Sequence, residues 1–101
     1  MCQKILIIDD DKALLEVLET ALVLEKFEVI VIDKVANIFD LINIHQPNLI
    51  IVDYILQGIN GGELCHQIKC DGRTSNLPVI IISAYHRVIN SLGHYGCNAF
   101  I

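Results

Sequence analysis

Three stretches of the chain are continuously apolar and stop at polar side chains. Ile5-Leu6-Ile7-Ile8 runs into Asp9-Asp10-Asp11, Leu49-Ile50-Ile51-Val52 into Asp53, and Val79-Ile80-Ile81-Ile82 into Ser83. Such β-branched runs without alternation predict strands buried on both faces, as in a parallel sheet. Between them, apolar positions recur at helical spacing. Leu14, Val17, Leu18, Ala21 and Leu22 predict a helix from Lys12 to Glu25, with Asp11 as its N-cap. Ile38, Leu41 and Ile42 predict a second helix over Ala36 to His45, closed by Pro47. Leu64, Cys65 and Ile68 predict a short third helix over Glu63 to Cys70, and Val88, Ile89 and Leu92 a weaker fourth over His86 to Leu92. Phe27 to Ile32 reads as the second strand, Val79 to Ser83 as the fourth, and Asn98 to Ile101 as the start of a fifth.

Strands alternating with helices imply parallel pairing through right-handed crossovers. The expected fold is therefore an α/β, doubly wound five-stranded parallel sheet in the order 2-1-3-4-5, flavodoxin-like, with no last helix within the sequence. In that order the site lies beyond the carboxyl ends of strands one and three. Asp9, Asp10 and Asp53 fall there.

Composition narrows the class. A chain of 101 residues predicts one domain, expected to be incomplete at its C-terminus. It is 53% hydrophobic, with a mean hydropathy of +0.54. That suits a sheet covered on both faces and leaves apolar surface for a partner or for missing chain. No apolar run approaches the roughly 18 residues of a membrane span, and the N-terminus is no signal peptide, so a cytoplasmic location without membrane attachment is expected. Net charge is −5, and the 7 Lys and Arg residues are scattered, which argues against nucleic-acid binding. Cys2, Cys65, Cys70 and Cys97 form no CxxC pair and read as small apolar residues. His45, His66, His86 and His94 show no metal-binding spacing, and His45 suits a helix C-terminus.

Three carboxylates converging within about 5 Å repel by roughly 3 kcal/mol per close pair at an effective dielectric near 20. They demand a proton or a cation. Oxygen-only donors favour a hard cation, and Mg²⁺ is the expected occupant. An aspartate carboxylate is also a competent nucleophile that can hold an acyl phosphate. Ser83 is placed to hydrogen-bond a phosphoryl oxygen, or is simply a hydroxyl at a strand end.

On these residues the chain resembles the receiver domain of bacterial two-component response regulators. Four segments carry the resemblance: KILIIDDD (Lys4 to Asp11), PNLIIVDYILQGINGGEL (Pro47 to Leu64), LPVIIISA (Leu77 to Ala84) and GCNAFI (Gly96 to Ile101). The resemblance implies that Asp53 is the phosphoacceptor and that Asp9, Asp10, Asp53 and the backbone carbonyl of Ile55 hold Mg²⁺. It makes Ser83, thirty residues after Asp53, the switch hydroxyl and Phe100 the switch aromatic. A sensor histidine kinase or a histidine phosphotransfer protein would supply the phosphoryl group to this phosphorelay component. Phosphorylation would then reshape the face of the fourth helix and fifth strand for a downstream effector. Such a domain is a signalling phosphoprotein and not an enzyme, at most dephosphorylating itself slowly.

The sequence departs from the family in several places. The family Lys would fall shortly past Ile101, the fifth helix is absent, and a homodimer is one way to cover the apolar sheet that this exposes. Gln57 stands where Pro is frequent, and the stretch from Ser83 to Gly96 is short. Two other readings follow from the same residues. A phosphorylation-independent pseudo-receiver would lack the phosphate coupling. A haloacid-dehalogenase-like phosphatase would use Asp9 and Asp11 with Ser83, but needs Thr or Val where Ala13 stands and leaves Asp53 unexplained. Ile55 and Tyr85, each two residues after a site position, are bulky and unsuited to orienting an attacking water. A phosphorylated form that decays slowly is therefore expected in a phosphatase-free mass time course. Decay within minutes would contradict it.

Overall fold

In the computed structural model, residues 3–56 and 60–82 are described in full, and residues 99–100 as backbone. The elements run β1 (Lys4–Ile8), α1 (Lys12–Leu24), β2 (Glu28–Ile32), α2 (Ile38–His45), β3 (Leu49–Asp53), α3 (Gly61–Cys70), β4 (Val79–Ile82) and β5 (Ala99–Phe100). The sheet is parallel throughout, in the order β2-β1-β3-β4-β5. This is the expected doubly wound topology. The fourth helix and Ser83 lie outside the described residues, as do Cys2, Cys97, His86 and His94.

The continuous apolar runs are needed because both faces of the sheet are covered. On one face Leu6, Ile8, Ile50, Val52, Val79 and Ile81 pack with Ile38 of α2 and Leu64, Cys65 and Ile68 of α3. On the other, Ile5 and Ile7 pack under Leu15 of α1, with Leu18, Leu22 and Ile51 half-buried around them. Alternation along each strand sends successive residues to opposite layers, so no position in β1 beyond Lys4 is left for water.

Element ends differ from the periodicity by a residue or two, each for a local reason. α1 starts where expected, because Asp11 Oδ1 accepts from the N–H groups of Ala13 (3.1 Å) and Leu14 (3.2 Å). β2 begins at Glu28 rather than Phe27: Lys26 adopts φ 69° and the Phe27 N–H bonds back to Leu22 O (3.1 Å), so that donor serves the helix end. α2 starts at Ile38, since Asn37 in extended conformation caps it through Phe39 N–H (2.9 Å). Its C-terminus at His45 is closed by Gln46 at φ 48° and by Lys4 Nζ, which donates to His45 O (2.8 Å). α3 starts two residues earlier than expected, at Gly61, capped by Asn60 Oδ1 from Glu63 N–H (2.7 Å).

Two expectations about surface residues resolve differently. Apolar surface does remain among the described residues, on α1, where Val17 is 64% and Leu24 77% exposed, and at Ile44 of α2, which is 72% exposed. Cys70, read as a small apolar residue, is exposed at the end of α3, with its Sγ 3.5 Å from His66 Nε2, whereas Cys65 is fully buried. The four-residue offset puts Cys70 beside His66 on the outward face. Truncating Leu6, which has no exposed surface, to Ala is expected to cost about 3 kcal/mol in denaturant unfolding. Val17→Ala should change stability by less than about 0.5 kcal/mol.

Candidate functional site

Parallel register sets the site. Ile8 of β1 lies opposite Val52 of β3, so the next residues along each strand, Asp9 and Asp53, emerge side by side at the carboxyl edge. Asp10 follows in the turn to α1. One carboxylate oxygen from each of Asp9, Asp10 and Asp53 lies within 4.8 Å of the others. The three differ in environment: Asp9 is fully buried, Asp53 half-buried and Asp10 exposed. This gradient forms a cup with a closed floor and an open rim.

The floor carries an unusual feature. Asp9 Oδ1 accepts a hydrogen bond from Asp11 N–H (2.9 Å), but Asp9 Oδ2 is buried with no hydrogen-bond partner among the described residues. A buried carboxylate oxygen without a partner is costly. An all-oxygen donor set of this kind suits a hard divalent cation of the Mg²⁺ type. Ile55, whose carbonyl was expected to add a ligand, lies two residues beyond Asp53 and is 48% exposed.

Electrostatics agree with that fit. The Asp53 carboxyl is pushed up to about 6, first by burial and next by the Asp9 charge, with Asp10 adding less. Hydrogen bonds from the backbone N–H groups of Ile55 and Tyr54 pull the other way. Asp9 is also raised, chiefly by burial, against the pull of the Asp11 N–H. The geometry separates Asp11 from its two neighbours, because its carboxylate is engaged in capping α1. An Asp9–Asp11 pair of the dehalogenase kind is therefore not what the turn presents.

Of the other expected site residues, Ser83 lies outside the described residues. Phe100 is described only as backbone, paired with Ile81 in β5. One residue that sequence reasoning treated only as a loop signal sits against the site. Gly61, the first residue of α3, donates its N–H to Tyr54 O (2.7 Å). A Cβ built on it would lie 2.7 Å from Asp53 C and closer still to the Asp53 carbonyl oxygen. The signal was the Asn-Gly-Gly sequence, which announces a turn but not what the turn must approach.

Comparison with known proteins places this arrangement. The family model described as the response regulator receiver domain matches residues 5–101. The nisin biosynthesis regulatory protein NisR of Lactococcus lactis is 33% identical over 96 residues, covering 92% of this chain and 41% of that protein. The DNA-binding response regulator MtrA of Mycolicibacterium smegmatis is 32% identical, covering 83% of this chain and 36% of the relative. The chain thus spans about two-fifths of the length of these curated relatives. Among solved structures, a CheY-like response regulator receiver domain protein from Methanospirillum hungatei superposes with a TM-score of 0.83 at 26% identity, covering all of this chain and 81% of the other. Response regulator TrrA of Thermotoga maritima, solved in complex with Mg²⁺-BeF, gives a TM-score of 0.86 at 21% identity, covering 98% and 84%, and shares the fold. A parallel sheet with three acids at its switch point, matched by the family model along nearly its whole length, makes this chain a member of the response regulator receiver domain family.

Proposed function

We propose that this receiver domain accepts a phosphoryl group on Asp53 and signals through the resulting change of its surface. The observation that carries the reading is the cluster of Asp9, Asp10 and Asp53, with one oxygen of each within 4.8 Å of the others, together with a buried Asp9 Oδ2 that has no hydrogen-bond partner among the described residues. Asp9 and Asp10, with Asp53 and the Ile55 carbonyl, would hold the cation. Bound Mg²⁺ would supply the positive charge that offsets both the carboxylates and the incoming phosphoryl oxygens.

In the transfer step an Asp53 carboxylate oxygen attacks the phosphorus of a phospho-imidazole presented by a histidine kinase or a histidine phosphotransfer protein. The P–N bond breaks, its electron pair returns to the imidazole nitrogen, and that nitrogen takes up a proton. An acyl phosphate remains on Asp53. Asp53 is only half-buried at the open rim, so a partner's phosphohistidine can reach it in line. Ser83 would hydrogen-bond the phosphoryl group, and Phe100 would follow, shifting the population of a surface read by an effector. The domain is consumed stoichiometrically and does not turn over a substrate. Its setting would be the bacterial cytoplasm.

The electrostatics of the free cluster give a pH dependence with a definite sign. An Asp held near pKa 6 in the folded state and 3.8 in the unfolded state keeps its proton more firmly when folded. Stability from this group is therefore greatest below about pH 4 and is lost as pH rises through about 6. The full shift corresponds to at most about 3 kcal/mol, and solvent at the rim reduces it to about 1–2 kcal/mol. Asp53→Asn should accordingly be more stable than the metal-free wild type at about pH 7.5 by that amount, and no more stable at about pH 4. Mg²⁺ should raise the wild-type Tm at about pH 7.5 far more than at about pH 5, because protonation competes with the cation. Equal Mg²⁺ shifts at both pH values, or in wild type and Asp53→Asn alike, would contradict the arrangement.

Phosphotransfer itself is tested by intact mass after incubation with Mg²⁺ and acetyl phosphate. One phosphoryl group adds about 80 Da. The expected result is a single addition in wild type and none in Asp53→Asn. No addition to folded, Mg²⁺-binding wild type would move the assignment to a phosphorylation-independent interaction module.

A further inference from the structure

We infer that Gly61 is a positioning residue for the cation and phosphoryl site, acting through the backbone that carries Asp53 and Ile55. The inference rests on the receiver reading above and extends it to a residue with no side chain. Three observations carry it. Gly61 N–H donates to Tyr54 O at 2.7 Å, so the first turn of α3 is tied to the peptide that follows Asp53. The Asp53 and Tyr54 backbone occupies the space where a side chain at Gly61 would begin: a Cβ would meet Asp53 C at 2.7 Å and Tyr54 Cα at 3.0 Å, with Asp53 O nearer than either. Finally, Gly61 is buried and Asn60 caps the helix it opens, so the helix start is held from both sides.

The consequence is mechanical. Apolar carbon contacts settle at about 3.5–4.0 Å, so even one methyl at Gly61 forces α3 and the end of β3 apart by about 1 Å. The neighbours that must give are backbone atoms, which cannot swing aside as a side-chain tip could. β3 is itself locked on both edges, by β1 through Ile50, Ile51 and Val52, and by β4 through the same residues and Asp53. The displacement is therefore concentrated at Asp53, Tyr54 and Ile55, where pairing with β1 has ended and only β4 still holds the strand, through Asp53 and the Tyr54 N–H that donates to Ile82 O. These carry one of the three carboxylates and the carbonyl assigned to the cation. A carboxylate displaced by about 1 Å no longer shares a cation with Asp9 and Asp10 at an octahedral distance of about 2.1 Å. Misplacement of that size costs roughly two orders of magnitude in reactions governed by alignment.

The test compares Gly61→Ala with two controls in the same domain. Gly72→Ala makes the same substitution at a position where a Cβ meets nothing within 4 Å. Ile38→Val trims a buried core residue at the start of α2, an element that carries none of the acids, and lowers thermal stability. Mg²⁺ affinity is read by calorimetry and Asp53 phosphorylation by intact mass with acetyl phosphate, alongside Tm. Gly61→Ala is expected to weaken Mg²⁺ binding at least tenfold and to slow phosphorylation by about a hundredfold, while Gly72→Ala and Ile38→Val stay within twofold of wild type in both. If Gly61→Ala unfolds at the assay temperature, the same titration in trimethylamine N-oxide restores the folded population without changing the space at the site. Wild-type Mg²⁺ affinity in folded Gly61→Ala would overturn the inference. So would an Ile38→Val protein of matched Tm that loses affinity equally, since the effect would then be general destabilisation. A wild type that neither binds Mg²⁺ nor gains mass would instead overturn the receiver reading, and the two failures are distinguished by the wild-type arm alone.

Discussion

Parallel register between β1 and β3 is the constraint on which the site depends. Ile8 sits opposite Val52, and one step further along both strands two carboxylates come out beside each other. The buried runs on either side hold that register, because slipping by one residue would reverse which side chains meet each helix layer. Leu6, Ile8, Ile50 and Val52 would leave the α2 and α3 layer, and Ile5 and Ile7 would leave α1. Burial of the strands thus supplies the free energy that holds like charges together, which electrostatics alone would separate.

The same economy shapes the edges of the site. Each of the three consecutive acids after β1 has a different task in the fold. Asp11 caps α1, Asp9 lies on the floor with one oxygen bonded to the Asp11 N–H, and Asp10 faces solvent. On the far side, α3 approaches the end of β3 so closely that only glycine fits at its first position. The cluster is therefore set between two helix N-termini, with its charge concentrated where the parallel strands end.

Helix boundaries show where periodicity is a partial guide. Apolar spacing located α1, α2 and α3, and the capping side chains Asp11, Asn37 and Asn60 decided where they start. Gly61-Gly62 looks like loop because glycine is a poor helix former. Gly61 is nonetheless helical, because Asn60 caps the helix there, and the close approach to Asp53 O is why that position is glycine. Cys70 illustrates the opposite case: its composition class suggests the core, but its helical phase faces it outward beside His66.

By itself the sequence determined the order of strands and helices, the acids that close two of the strands, and the receiver family to which those motifs belong. It could do so because strand burial and helix amphipathicity are written in local periods of hydrophobicity, and because the acids directly follow the runs they terminate. Only the tertiary structure decided that Asp9 is fully buried with one oxygen that has no partner among the described residues, that Asp53 is raised toward neutral pH, and that Gly61 presses against its carbonyl. These are distances and burials between residues up to some fifty positions apart. They arise from how helices settle on a twisted sheet, which no local pattern encodes.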